Sequence, residues 1–599
     1  MCLSLSVSVM GQIDSVVLKQ TILTPRGKTR VAVLDSLEEF QGETIAEALV
    51  QRGLAFVRLP AAGGLTTVSV RGGNSEQTTF FWNGISIQNT LNGSLDLNLL
   101  PSDAFDRVEL NSVNSGNTGS GTIAGSVSLT SSRFDTANRF SAHVGYGSFN
   151  RLSYGLNATV LARSTAIKAV VFGRNAQNNY PYEDLRGEVR NLHHAQFVTN
   201  GFIYQQRFFF KRSNPLTIRV WNQATHREIP PTLVEAQSQK YQQDRSTRIQ
   251  SDWSAVFGKK RLKLNAGHFT EDLNYQDSLS NIYGEYRFYN TTFIAQILHL
   301  ESRNFSYGID LEARDFRGVS DTFYKKDRQE FAQALHLSFK RGKSHVQSSV
   351  RLVQYSTTDD RPLLLSVNYT YRLKRGLRIL TLLSTNYRMP TFNNLYWRPG
   401  GNPDLVSERS TNSELTCLAS RKKLRGRVTL FSNFIEDQIR WLPGGNGYFE
   451  AQQVVGQTQW NRGLEAGLTW RKKKIDAFVN TSVLRSTKLQ DNSPFTGNQQ
   501  TYIPHLQGNS GVGYRFGSLK AAYQTWFVGR RYTDAENTEY LPGLIIHTVK
   551  LSYEKGRIQA TGSIANLGNL YYTLMPYTPN IPRNFNLKFS YTFIKNKEQ

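Results

Sequence analysis

Residues whose types and spacing could do chemistry are sparse in this 599-residue chain. Gly119-Ser120-Gly121-Thr122-Ile123-Ala124-Gly125 comes near a dinucleotide fingerprint. It carries one residue too many before the last glycine and leads into the alternating Ser126-Val127-Ser128-Leu129, where phosphate binding needs a helix N-terminus. No zinc-protease helix motif, phosphate loop or nucleophile elbow occurs. His193-His194 could bind a metal or haem, but neighbours on a strand point to opposite faces, which favours ordinary loop or strand residues. Glu183 and Asp184 could contribute to a loop calcium site, for which two adjacent carboxylates are a weak signal. The only cysteines are Cys2 and Cys417. Cys2 lies in a candidate export segment and Cys417 reads as a packing residue, so no internal disulfide is expected. The reading is a chain that is not an enzyme and needs no cofactor.

Composition sets the frame that such residues must sit in. Aromatic residues make up 12%, with 28 Tyr and 34 Phe, yet mean hydropathy is only −0.43. No run of about 18 apolar residues exists, which removes a transmembrane helix. A membrane β-barrel combines these features because apolar lipid-facing residues alternate with polar lumen residues; a soluble β-sandwich or propeller shares the composition. The net charge of +25 suggests nucleic acid, but its distribution argues otherwise. Cations gather at Lys259-Lys260-Arg261, Lys340-Arg341-Gly342-Lys343, Lys374-Arg375-Gly376, Arg421-Lys422-Lys423, Arg471 to Lys474, and Glu554-Lys555-Gly556-Arg557. From residue 340 onward most gaps are roughly 40–50 residues, about two membrane strands with their connections. That spacing fits solvated turns on one barrel rim.

The chain is organised around residues 68–89, VSVRGGNSEQTTFFWNGISIQN, and residues 106–130, DRVELNSVNSGNTGSGTIAGSVSLT. Both are short alternating strands broken by Gly, Asn and Ser clusters, with tight reversals at Arg71-Gly72-Gly73 and Asn83-Gly84. Ahead of them, Thr44 with Glu47 forms a capping box that opens a short helix. From about Asn138 the alternation repeats, as in Leu464, Ala466, Leu468 and Trp470 against Glu465, Gly467 and Thr469. Residues 138–599 then hold roughly 22 strands, a size that leaves a lumen wide enough for a plug. Polar intervals 176–198, 224–247 and 486–504 are expected as the long loops. At the start, MCLSLSVSVMGQ reads as the later part of a signal peptide, with Val9 and Gly11 small enough for cleavage before Gln12. No Lys or Arg precedes Lys19, which points to a true translation start further upstream.

This layout resembles TonB-dependent outer-membrane transporters, whose small globular plug precedes the barrel that encloses it. Val70-Arg71-Gly72 is similar to the family's Ile-Arg-Gly box, Trp82-Asn83-Gly84-Ile85 to its Asp-Gly turn, and Arg107-Val108-Glu109-Leu110 to the strand before its glycine run. Residues 387–415 resemble its Leu-Tyr … Gly-Asn-Pro … Glu … Glu signature through Gly401-Asn402-Pro403, Glu408 and Glu414. Asn566-Leu567-Gly568-Asn569-Leu570-Tyr571-Tyr572 and the terminal strand Phe585 to Phe593 resemble its penultimate hairpin and its assembly signal. The family usually carries a second Arg after Glu109, where Asn111 and Ser112 stand, so a second Arg–carboxylate link between plug and barrel is not expected here.

The resemblance implies an all-β transmembrane antiparallel barrel with an N-terminal α+β plug. Its parts would be a truncated signal peptide over 1–11, a TonB-box segment over 12–24, a plug over 25–132 and a barrel over 138–599. It also implies active transport across the outer membrane without chemistry on the ligand, among outer-membrane lipid and lipopolysaccharide. Asp14, Ser15, Val16, Val17 and Leu18 would recruit TonB, with its ExbB/ExbD energising complex, by strand addition. Arg71 would pair with Glu408 or Glu414. The run WNGISIQNTLNGSLDLNLLP is most similar to cobalamin receptors, which puts Gly63, Gly64, Leu65, Asn89, Leu91, Asn92 and Ser94 on the floor of a corrinoid pocket. Small and amide side chains suit a large neutral ligand fringed with amides. A ferric siderophore or haem receptor, a receptor working with a surface lipoprotein, and an adhesin or passive porin are the alternatives.

Overall fold

The computed structural model describes residues 30–35, 43–52, 55–59, 62–111, 119–131, 134, 137–210, 214–445, 448–453, 457–489 and 494–594. Strands from Arg139–Gly147 to Asn584–Ile594 close into a barrel of 22 antiparallel strands. The seam joins the last strand to the first, with Phe593 opposite Phe140 and Asn586 opposite Gly147. Period-2 patterning explains which face is which. Along Tyr324–Arg341 every second residue from Arg328 to Ser338 is buried, while Phe331, Leu335 and Leu337 between them are exposed. Such a wall needs lipid on one side and a filled lumen on the other. No described helix is long and apolar enough to cross a membrane.

Two-residue turns join the strands at one rim: Gly258-Lys259, Gly342-Lys343, Arg375-Gly376, Lys422-Lys423, Lys473-Lys474 and Gly556-Arg557. The basic clusters therefore lie where the spacing put them. At the other rim, the interval after Thr165–Ala176 carries a hairpin of Pro181–Glu183 with Val189–Asn191. The expected loop 224–247 is corrected: strand Pro215–Ile229 continues to Ile229 and strand Lys240–Phe257 resumes at Lys240. Those strand ends read as loop because their inward residues, such as Thr225 and Arg227, are polar.

Inside, β1 (Arg30–Asp35), α1 (Ile45–Arg52), β2 (Phe56–Arg58), β3 (Thr67–Ser69), β4 (Thr78–Trp82), β5 (Ile85–Ser86), β6 (Arg107–Asn111) and β7 (Gly125–Thr130) build the plug. Its main sheet has the order β1-β6-β7-β4-β5, with β4 and β7 parallel and β2 pairing only with β3. The capping box forms: Thr44 N donates to Glu47 Oε2 at 2.7 Å and Glu47 N to Thr44 Oγ1 at 3.2 Å. Asn83 (φ +46°) and Gly84 (φ +98°) both take left-handed backbone, which lets a two-residue turn follow the twist of β4 and β5. Plug and wall share one core. Trp82 is fully buried against Trp221 at 5.4 Å, edge to face, and against Phe269 at 6.2 Å. Arg248 stacks on Trp221 from the barrel side at 4.3 Å.

Candidate functional site at the plug–barrel interface

Arg71 sits on the reversal after β3 with φ +48°, and this backbone aims its side chain at the wall. Nη1 donates to Glu414 Oε1 at 2.7 Å, while Nε and Nη2 donate to the two oxygens of Glu465 at 2.9 Å. All three side chains are at most 3% exposed, and the guanidinium lies 4.3 Å over the Phe431 ring. Burial opposes the charge, and the two carboxylates outweigh it, holding the guanidinium pKa above its ordinary value. Of the two partners expected, Glu414 is the one engaged. Glu465 was missed, although it stands at an inward position of an alternating strand.

Glu408 is not a partner of Arg71. It lies directly opposite Arg388 in register and accepts a two-bond fork from Arg388 at 2.8 Å. The plug reaches this pair from its own side, with Gln77 Nε2 donating to Glu408 at 3.1 Å and Glu76 pairing with Arg388 at 2.7 Å. Further plug carboxylates meet barrel cations, Asp96 with Arg227 and Asp106 with Lys168. Plug and barrel thus do make further Arg–carboxylate links, with polarity reversed: the acid is on the plug and the arginine on the wall. The absent second plug arginine could not reveal them.

The two outward plug loops are tied together. Leu97 N donates to the Thr66 carbonyl at 2.9 Å, Asp96 accepts from Thr66 N at 3.1 Å, and Asn98 donates to the Gly64 carbonyl at 3.1 Å. Gly63 has φ +87° and packs against the Glu228 carbonyl of the wall, a position closed to any side chain. Leu65 is 49% exposed and Asn92 is exposed. Leu91 is placed differently from the expected floor residue, buried among Phe288, Phe316, Phe323 and Phe392. Ser94 is also buried, and Asn89 is spent on Leu91 N at 2.7 Å. The loop is held from outside by α2 (Phe392–Tyr396), whose Phe392 N and Asn393 N donate to the Thr90 and Leu91 carbonyls. Beyond α2 stand Trp397 and Trp441, 5.6 Å apart and edge to face. The Leu-Tyr-Trp run after Pro390 was the available signal for this aromatic shelf.

Beside Gly63 a partly open space of about 180 Å³ lies between α1 and the wall, with Glu43, Glu47, Asn98, Arg151 and Arg174 around it. Burial pushes Glu43 up to about 7, with Lys550 opposing and Glu47 adding to the rise. The folded value lies above the unfolded one, so the plug takes up a proton as pH falls and this stabilisation is lost as pH rises through about 7. Melting of the plug is therefore expected at higher temperature near pH 5 than near pH 8, and Glu43→Gln should flatten the profile. A wild-type profile flat across that window, or an E43Q profile parallel to it, rejects the assignment.

The remaining candidates lie apart from this interface. His194 sits in a loop with φ +53°, its Nε2 2.9 Å from the Lys240 carbonyl, and His193 is exposed. Asp184 accepts from Arg186 N and Glu188 N in its hairpin turn, where Glu183 is exposed. No group of three His, Cys, Asp or Glu suited to a metal occurs among the described residues. Cys417 is exposed on the outer wall rather than packed, because it falls on the outward phase of its strand. Asp14 to Leu18 and the signal segment lie outside the described residues.

Comparison with known proteins gives the following. Residues 52–567 match the family described as TonB dependent receptor-like, beta-barrel. The vitamin B12 transporter BtuB of Vibrio vulnificus YJ016 is 20% identical over 417 residues, 64% of this chain and 63% of that transporter's length. BtuB of V. vulnificus CMCP6 is 20% identical over 519 residues, 84% of this chain and 80% of that protein. Among solved structures, the FrpB iron transporter of Neisseria meningitidis (F3-3 variant) superposes with a TM-score of 0.81 at 12% identity, covering 95% of this chain and 100% of that one. The ferric yersiniabactin uptake receptor FyuA of Yersinia pestis gives 0.78 at 14% identity, covering 94% and 98%.

Proposed function

The chain belongs to the TonB-dependent receptor family of outer-membrane β-barrels, and from that premise we propose that it imports a scarce, bulky ligand actively, most readily cobalamin or another corrinoid. The observation that carries the transport reading is the plug: a barrel whose lumen is filled and latched at Arg71 cannot work as an open pore. Import then requires the latch to be pulled, and the 12–24 segment is the handle offered to TonB and its ExbB/ExbD complex. No step alters the ligand.

Ligand class rests on the outward plug surface. Gly64, Leu65, Asn92 and Asn98 present backbone amides, carboxamides and one aliphatic side chain, with no free charge among them. This suits a neutral ligand fringed with amides, in keeping with the BtuB matches. One observation favours a second reading. Trp397, Arg398, Arg440 and Trp441 flank the helix that holds the Asn92 loop, and aromatic rings with arginines suit an anionic ferric chelate. Titrating the purified receptor with cyanocobalamin separates the two: saturable binding at or below about micromolar ligand is expected for the corrinoid. Silence there, with a ferric siderophore binding instead, moves the assignment to the chelate. Liposomes carrying the receptor should stay impermeable to small sugars; swelling would favour a porin.

A further inference from the structure

Cations on the short-turn rim are in several places balanced by a nearby carboxylate. Lys520 stands 3.0 Å from Asp476 and Arg515 3.8 Å from Glu554. The turn joining Leu363–Lys374 to Leu377–Arg388 is built differently. Arg372 and Arg378 are directly opposite each other in the register, and like charges so placed push an antiparallel pair apart. Leu373 is the extra residue of a bulge at this point, which fixes the arginines on either side of the turn. Lys343, Lys374 and Arg375 converge with them on one cleft of about 510 Å³, backed by Leu418. None of the five cations is ion-paired with a described residue. Lys343 Nζ reaches only the Leu373 carbonyl, at 3.4 Å.

A charged turn is ordinarily just a solvated turn. Here an opposed arginine pair, a bulge that maintains it and a concave shape occur together, and one ligand chemistry answers all three. We propose that this cleft is a binding site for a phosphate-bearing anion at the short-turn mouth, the end that faces the periplasm in such barrels. Guanidinium forks match phosphate oxygens two at a time, so a phosphate between Arg372 and Arg378 turns their repulsion into attraction. Lysine ammonium groups add charge without demanding geometry. Two sources share the chemistry. The phosphate of an anionic phospholipid can arrive from the membrane around the rim, past Leu373, which continues the outward row of Leu363, Leu365 and Val367, whereas Arg372 and Arg378 stand on the inward phase of their strands. Free phosphate can arrive from the periplasm.

The test is thermal unfolding of the full chain in neutral detergent, with phosphatidylglycerol, phosphatidylcholine or inorganic phosphate added. Phosphatidylglycerol should raise the melting temperature and phosphatidylcholine should not. A matching rise with inorganic phosphate identifies a free-anion site, and a rise with phosphatidylglycerol alone identifies a lipid headgroup site. In the double variant R372Q/R378Q the half-saturating concentration should rise about tenfold or more, the effect of losing charge-assisted bonds. The same variant without ligand should melt at or above wild type, since the opposed charges are gone. K422Q/K423Q, on a neighbouring turn, should respond as wild type does. The proposal is overturned if wild type responds to neither ligand, if R372Q/R378Q responds as wild type does, or if K422Q/K423Q loses the response equally. It is also overturned if ligand-free R372Q/R378Q melts below wild type, which would make the arginines packing residues.

Discussion

Arg71→Ala is expected to loosen the plug by about 3–5 kcal/mol, the range for removing one partner from a buried ion pair. The loss is larger than the bonds themselves because of what remains. Glu414 and Glu465 are 1% and 2% exposed, and without the guanidinium the two carboxylates face each other in a buried site, with Arg427 3.9 Å from Glu465. Two functional readouts follow. Calorimetry of the variant should resolve an early plug transition ahead of barrel melting, and planar bilayers should record conductance that wild type lacks. Arg71→Lys keeps the charge but cannot form the fork to Glu465, so an intermediate loss is expected. Adding Glu414→Gln and Glu465→Gln to Arg71→Met removes the stranded charges and should restore much of the stability. If R71A leaves both the melting profile and the conductance unchanged, the latch is not what holds the plug.

The second large effect concerns energy supply. Deleting residues 13–19 should reduce ligand uptake to the level of cells lacking the receptor while leaving ligand binding at the surface intact. The expectation rests on the proposed coupling, in which a partner strand added to this segment would transmit the work that opens the plug. Strand addition works through the backbone, which gives a finer test within the deletion. Val17→Pro removes a main-chain donor and should stop uptake, whereas Val17→Thr keeps the donor and the β-branched shape and should allow it. Uptake that survives the deletion would sink the coupling mechanism. Equal loss in V17P and V17T would instead assign recognition to the side chain.

How much of this was legible in the sequence follows from the range of the forces involved. Strand alternation is a local property with period two, so one stretch such as Leu464 to Trp470 declares an inward and an outward face without its neighbours. Turn chemistry is equally local, and the basic turns and the Asn83-Gly84 reversal stand where composition put them. Barrel architecture, a strand number near 22 and the capping box at Thr44 were accordingly within reach of the sequence, while Arg71 was left between Glu408 and Glu414. Partnership across strands was not. Glu408 and Glu414 look alike in sequence, six residues apart on the same face of one strand. Register alone sets Glu408 opposite Arg388, and plug docking alone brings Arg71 to Glu414 and to Glu465, which stands two strands further along the wall. Leu91 shows the same limit, since an apolar residue in an Asn-rich loop reads as ligand floor until Phe392 of α2 and three barrel phenylalanines close over it. The sequence by itself determined which residues face inward. Which inward residues meet was decided by register and by the seating of the plug, both long-range outcomes of closing the barrel.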